Sequence, residues 1–118
     1  MTHTLTLLGG VPCKKNGYKP FGRRVVIDPA IRSEIAFLTL QVRGQWHKAP
    51  VERAEVRARF HVRNGRADLD GKLTTLLDCL VQGGALRNDS IARLKVLSAE
   101  AVIDPEGESV EVEIEEAA

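Results

Sequence analysis

Segment 53–63, RAEVRARFHVR, alternates without a break between small or apolar side chains and charged or polar ones. A period of two puts each set on its own face of a β-strand, which predicts a strand with one buried face. Segment 109–115, SVEVEIE, alternates in the same way, with glutamates on one face. If the two strands are neighbours, the arginine row lies beside the glutamate row and pairs with it. Contact between the arginines and DNA is the alternative explanation of the row.

Two segments have helical spacing. Asp28-Pro29 is typical of a helix start, because the aspartate accepts orphan amide hydrogens and the proline has none to lose. A first helix is expected from there to about residue 47, with an apolar stripe at Ile31, Ile35, Leu38 and Val42. Phe37 and Leu40 lie off this stripe and offer a surface to a second subunit.

A second helix is expected after Asp68-Leu69-Asp70, and Gly83-Gly84 ends it. Its apolar positions are Leu73, Leu76, Leu77 and Leu80. Residues 3–8, 25–27 and 91–103 read as further strands. The whole predicts an α+β (mixed α/β) fold with a small mixed sheet of four to five strands and two main helices. The 118 residues suit one domain, 1–118, and its limited core favours an oligomer.

Charge is divided unevenly along the chain. Residues 1–66 carry 13 Lys or Arg against 4 Asp or Glu, and residues 67–118 carry 4 against 12. This asymmetry indicates a polyanionic partner for the basic half, unless the two halves pair with each other. The apolar runs are too short to span a bilayer. Cys13 and Cys79 are far apart and form no zinc motif, so a reducing cytoplasm is the expected compartment.

Carboxylates cluster where the third predicted strand leads into the second helix. Asp68 and Asp70 stand at the helix start, and Asp89 lies in the following loop. Several carboxylates at one point repel one another unless a cation is present, so they favour a Mg²⁺ or Mn²⁺ site. Helix capping is the alternative for the first two. Lys72 is four residues after Asp68 and can reach back to it, at least as a simple ion pair.

These residues resemble a known family. The segment 68–80, DLDGKLTTLLDCL, followed by Arg87-Asn88-Asp89-Ser90-Ile91, resembles the RusA-type Holliday junction resolvases, which show D-x-D-N-x-x-K-x-x-x-D-x-L and then D-D-x-x-I/V. Pro12-Cys13-Lys14-Lys15-Asn16 is similar to the opening P-x-x-K-N of that family. The resemblance covers essentially the whole chain in matching order.

The resemblance implies a homodimeric, Mg²⁺-dependent endonuclease, often prophage-encoded, that nicks two opposed strands of four-way DNA junctions in recombination and repair. It assigns the metal ligands to Asp68, Asp70 and Asp89. Three positions depart from the family pattern: Gly71 replaces its asparagine, Thr74 its lysine and Asn88 its first paired aspartate. The missing lysine bears most on activity, and Lys72, Lys95 and Arg87 are the candidate replacements.

Six residues of the N-terminal half are expected to grip the DNA backbone through sequence-independent, salt-sensitive contacts. They are Lys14, Lys15, Asn16, Lys19, Arg23 and Arg24. No histidine metal motif, nucleophile elbow, P-loop or dinucleotide glycine pattern is present, so no small-molecule cofactor is expected. The alternatives to an active nuclease are a DNA-binding relative that has lost catalysis, and a structural α/β module whose acids cap helices.

Overall fold

The computed structural model describes residues 1–13, 18–21 and 24–117, with backbone alone for 18–21 and 24–26. The elements in chain order are β1 (Thr2–Leu8), β2 (Tyr18–Phe21), β3 (Arg24–Ile27), α1 (Pro29–Gln45), β4 (Ala54–Val62), α2 (Leu69–Gln82), β5 (Leu94–Ile103) and β6 (Ser109–Glu116). The protein therefore has the predicted α+β fold. The sequence had not predicted β2, whose residues were read as part of a basic loop.

One mixed four-stranded sheet carries the two helices. Its strand order is β1-β6-β4-β5, and β2 and β3 form a separate two-stranded hairpin. β6 runs antiparallel to both β1 and β4, whereas β5 runs parallel to β4. The parallel step requires a crossover, and α2 makes it, because parallel strands cannot be joined by a tight turn. α2 therefore runs back from the end of β4 to its beginning.

The buried face of the sheet follows the alternation in the sequence. Leu5 and Leu7 of β1, Phe60 of β4 and Val112 of β6 are at most 2% exposed and form one cluster with the buried sides of both helices. Leu38 and Val42 carry the predicted stripe of α1 into this core. Asp28 caps α1 as predicted: its Oδ1 accepts from the N–H of Ala30 at 2.9 Å.

The opposite face of the sheet bears the charged rows. β4 and β6 are neighbours, with Arg57 opposite Glu113 and Arg59 opposite Glu111, which confirms the predicted arrangement. Arg57 pairs diagonally with Glu115 at 3.7 Å, whereas the Nε of Arg59 lies 2.6 Å from Oε1 of Glu100, the residue directly opposite it on β5. The hydrogen bond to Glu100 raises the pKa of the Arg59 guanidinium. Acidic partners thus occupy these two arginines of the face, which favours the structural explanation of the row over DNA contact.

Candidate functional site

The start of α2 presents two exposed carboxylates. Asp68 is the N-cap residue with an extended backbone (φ −82°, ψ 129°), yet its side chain makes no capping hydrogen bond. Asp70 follows in the first turn, where its Oδ1 accepts from the N–H of Gly71 at 2.9 Å. Capping therefore does not account for Asp68, and the positive end of the helix dipole lies beside both acids. Two exposed carboxylates at this point suit a cation that also contacts phosphate.

The face of α2 below Asp70 is polar but carries no positive charge. The hydroxyl of Thr74 donates to the backbone carbonyl of Asp70 at 2.9 Å, within the helix. Asp78 lies one turn further along the same face and is half-buried. The position where the resemblance expects a lysine is therefore occupied by a hydroxyl already used in a backbone hydrogen bond.

Lys72 does not supply an exposed cation beside Asp68. Its side chain is buried, 8% exposed, and its Nζ donates to the backbone carbonyl of Val11 at 2.7 Å. Val11 is itself buried at 3% exposure. This hydrogen bond thus connects the first turn of α2 to the segment that follows β1. The sequence led us to expect Lys72 to reach back toward Asp68. In the structure its ammonium instead donates to the carbonyl of Val11, in a segment distant in sequence.

The other candidate cations lie at the far end of α2. Nε and Nη2 of Arg87 both donate to Oε1 of Glu52, at 3.1 and 2.9 Å. Arg93 also donates to Glu52, through Oε2. The hydrogen bond from Arg87 is the largest cause that holds the pKa of the Glu52 carboxyl below its ordinary value. Arg87 is therefore engaged with Glu52, whereas Lys95 is exposed at the irregularity where β5 begins.

Asp89 also lies at that far end. The loop that carries it is fixed to the beginning of β4: the N–H of Arg87 donates to the carbonyl of Val51 at 3.1 Å, and the N–H of Ala54 donates to the carbonyl of Arg93 at 2.8 Å. Asp89 is exposed there. α2 has 14 residues and separates the two ends by about 21 Å. Within one chain, the structure brings Asp68 and Asp70 together and leaves Asp89 a helix length away.

In the part of the chain that the structure describes, no group of three or more His, Cys, Asp or Glu side chains lies close enough to hold a metal ion. The carboxylates expected to meet are thus at most a pair within a single protomer. The reason is topological: a crossover helix between parallel strands necessarily carries the chain to the opposite end of the sheet. The two Asp segments flank that helix, a signal already present in the sequence.

The described residues that precede the basic segment in sequence contact the first turn of α2. The bond from Lys72 fixes Val11 against α2, two residues after Asp70, and Lys14 and Lys15 follow Val11 closely in sequence. Lys19 lies on β2 and Arg24 on β3, in the hairpin. Lys14, Lys15, Asn16 and Arg23 lie outside the described residues. The Lys72–Val11 bond, which the sequence did not predict, therefore connects α2 to the segment that precedes the basic residues in sequence.

Comparison with known protein families and with curated protein sequences finds no match to this chain. None of the helices in the described ranges 1–13, 18–21 and 24–117 is long and apolar enough to span a membrane. Neither cysteine forms a disulfide among the described residues: Cys79 lies in the core and Cys13 is half-buried.

Proposed function

We propose that this protein is a Mg²⁺-dependent endonuclease that acts as a homodimer on branched DNA, with the four-way junction as its substrate. The observation that carries the proposal is the pair of exposed carboxylates, Asp68 and Asp70, at the start of α2, the helix that Lys72 bonds to Val11, three residues before the first basic residue in sequence. The resemblance of segments 68–80 and 87–91 to RusA-type resolvases agrees with this reaction. The same resemblance supports a reaction in DNA recombination or repair, in the cytoplasm.

The carboxylate pair fits Mg²⁺ or Mn²⁺. Mg²⁺ is commonly held in proteins by one or two carboxylates, while waters and substrate phosphates complete its coordination. When bound, such an ion lowers the pKa of a water and offsets charge on the scissile phosphate. Asp68 and Asp70 would hold the ion, and the basic residues from Lys14 to Arg24 would bind flanking phosphates without regard to sequence.

We assign Asp89 to the site of the other protomer. Within one chain it lies about 21 Å from the carboxylate pair, at the opposite end of α2. In a two-fold dimer each protomer can offer its own Asp89 to the carboxylate pair of its partner. Two such sites, related by the dimer axis, suit a substrate whose opposed strands are related in the same way.

The test is a nicking assay with synthetic four-way, splayed and linear duplex DNA, with and without Mg²⁺. We expect cleavage of the four-way junction alone, dependent on Mg²⁺ or Mn²⁺, and a loss of about 100-fold or more in Asp70→Asn. Glu106→Gln, which makes the same change of charge at an exposed loop position after β5, is the matched control and should cleave normally. Metal-independent cleavage, or no cleavage of branched DNA with either metal, would refute the proposal.

A DNA-binding relative without catalysis is the second candidate, because Thr74 stands where the resemblance expects a lysine and its hydroxyl is bound to the helix backbone. For that candidate we expect salt-dependent binding of the four-way junction with no nicking. Thr74→Lys should then introduce cleavage, whereas a variant that binds and still does not cleave would leave binding as the sole function.

A further inference from the structure

The two edges of the four-stranded sheet differ in how their backbone groups are satisfied. β1 forms one edge, and α1 closes it: Gln45 exchanges two hydrogen bonds with the backbone of Thr6, at 3.1 and 2.7 Å. Gln41 does the same with the backbone of Leu8, at 2.8 and 2.9 Å. Two side chains therefore imitate a neighbouring strand along β1. This edge is unavailable to another chain.

β5 forms the other edge and is open. It is ten residues long, its only neighbouring strand is β4, and no described residue hydrogen-bonds to its outer side. None of its residues is buried. Proteins usually protect such an edge with proline, with charge or with a short strand, because unpaired backbone groups recruit another strand. β5 contains no proline, and its charged residues are Lys95 and Glu100.

The exposed side chains of β5 are largely apolar. Val96 and Leu97 are each 39% exposed, Val102 is 41% exposed and Ile103 is 63% exposed. The register with β4 puts Leu97 and Ile103 on the face that carries the helices, opposite Val56 and Val62. Val96 and Val102 point to the other face. Apolar surface is thus available on both sides of an unpaired backbone edge, which is the composition of a strand that pairs within a larger sheet.

We propose that β5 is the homodimer interface, where it pairs antiparallel with β5 of a second copy to make one eight-stranded sheet. A two-fold axis perpendicular to the sheet is the symmetry that relates two antiparallel edge strands and keeps both pairs of helices on one side. Directly opposite residues of the two strands point to the same face of the sheet. The axis therefore lies midway between one residue and the same residue of the second copy. Ser98 and Ala99 are the residues nearest the middle of the strand.

Ala99 is the better centre. It sets Val96 opposite the partner's Val102 and Leu97 opposite the partner's Ala101, so that apolar residues meet apolar ones. Lys95 and Glu100 then face uncharged residues of the partner. A centre at Ser98 instead sets Glu100 opposite the partner's Val96. The first register sets Lys95 opposite the partner's Ile103, so its mismatch lies at the ends of the strand, whereas the second puts one near the middle.

The size of the contact also suits a second copy. Ten residues of strand extend for about 33 Å. The same strand of a second copy has the same length, so the contact can extend along almost all ten residues. DNA is a poorer occupant, because the exposed side chains of β5 are mainly apolar and Lys95 is the one cation of the strand.

The interface rests on the homodimer of the proposed function. Its test measures molecular mass and does not depend on nuclease activity. We expect the wild-type chain to sediment as a dimer of twice its 13.0 kDa. Val96→Lys with Val102→Lys sets like charges opposite each other twice and should weaken the dimer by about 100-fold or more. Val96→Lys with Val102→Glu sets opposite charges there instead and should restore the dimer, with a dissociation constant that rises with salt. Circular dichroism checks that each variant is folded.

Leu40→Lys is the matched control, because Leu40 is 63% exposed on α1, the surface that the sequence offered to a second subunit. This variant should remain dimeric. A wild-type chain of 13 kDa at about 100 μM, or a dimer that Leu40→Lys dissociates and the two lysines on β5 do not, would overturn the interface. A monomer that gains mass only with another protein or with DNA would assign the edge to that partner instead.

A cysteine scan tests the register without disturbing charge. In a Cys13→Ser background, Ala99→Cys faces its own copy and should give a disulfide-linked dimer on oxidation, because directly opposite Cβ atoms lie about 4.5–5.5 Å apart. Ala101→Cys is displaced from its copy by four residues, about 13 Å along the strands, and should stay monomeric on a non-reducing gel. Cross-linking at Ala101 and not at Ala99 would overturn the proposed pairing.

Discussion

If Asp89 serves the site of the partner, two inactive variants should restore each other. Asp70→Asn removes a carboxylate from its own pair but leaves Asp89 to donate. Asp89→Asn keeps its carboxylate pair intact and lacks the residue that it would donate. A heterodimer of the two therefore contains one complete site, built from the pair of the second chain and the Asp89 of the first. The other site of that heterodimer lacks both groups.

The structure sets the size of the effect. Ligands of one Mg²⁺ lie about 2.1 Å from the ion, so they cannot be separated by the roughly 21 Å that α2 spans. Asp89 thus cannot share an ion with Asp68 in its own chain while this fold persists. After free exchange of equal amounts, about half of the dimers are heterodimers with one working site of two. The mixture should therefore nick at about one quarter of the wild-type rate. Either variant alone should nick about 100-fold more slowly than wild type.

The assay follows nicking of a labelled four-way junction after the two variants have equilibrated, with exchange confirmed by differently sized tags. The product should be a junction with one nick, because a single site cannot make the paired incisions of the wild-type dimer. Asp68→Asn mixed with Asp70→Asn is the control and should show no recovery, since every carboxylate pair then carries a lesion. Confirmed exchange with no recovery would refute donation by the partner, as would full activity of Asp89→Asn alone.

Three further predictions concern stability. Lys72→Met should cost about 1–3 kcal/mol in the free energy of unfolding, since it leaves the buried carbonyl of Val11 without its donor, and should weaken junction binding, measured by urea titration and gel shift. Gly83→Ala should lower Tm, measured by calorimetry, because a Cβ there would lie 2.5 Å from Cγ1 of Val42 and 2.9 Å from a backbone oxygen. The pKa of Glu52 lies below its ordinary value of 4.5, so its pairing stabilises the fold above that pH and the contribution disappears as pH falls through the lowered pKa. The Tm difference between wild type and Glu52→Gln should therefore shrink as pH falls below 4.5.

Each of these has its own control. Lys48→Met removes an exposed lysine and should leave both unfolding and junction binding nearly unchanged. Gly44→Ala adds a Cβ where nothing lies within 4 Å, so a loss of Tm equal to that of Gly83→Ala would contradict the steric argument. Glu106→Gln should show no comparable dependence on pH, since no arginine is bonded to it in the described structure.

The sequence by itself determined the elements and most of their faces. Alternation in 53–63 and 109–115 predicted two strands with one buried face each. A period of two puts Phe60 and Val112 each on the apolar face of its own strand, so both faces pack into the same core. The stripe at Leu38 and Val42 did the same for α1. These predictions succeeded because the pattern of a strand or helix is local, and burial of one face is the largest free energy available to it.

Tertiary structure alone decided which distant groups meet. The sequence shows Lys72 four residues after Asp68, a spacing that favours contact along a helix, yet the ammonium goes to the carbonyl of Val11 in another segment. Likewise, the sequence shows a helix between Asp70 and Asp89, but only the parallel pairing of β4 and β5 shows that this helix carries the chain to the opposite end of the sheet. Edge protection has the same origin, because only the position of α1 beside β1 lets Gln41 and Gln45 close that edge and leave β5 open. Such contacts depend on the path of the whole chain, which no local pattern of residues encodes.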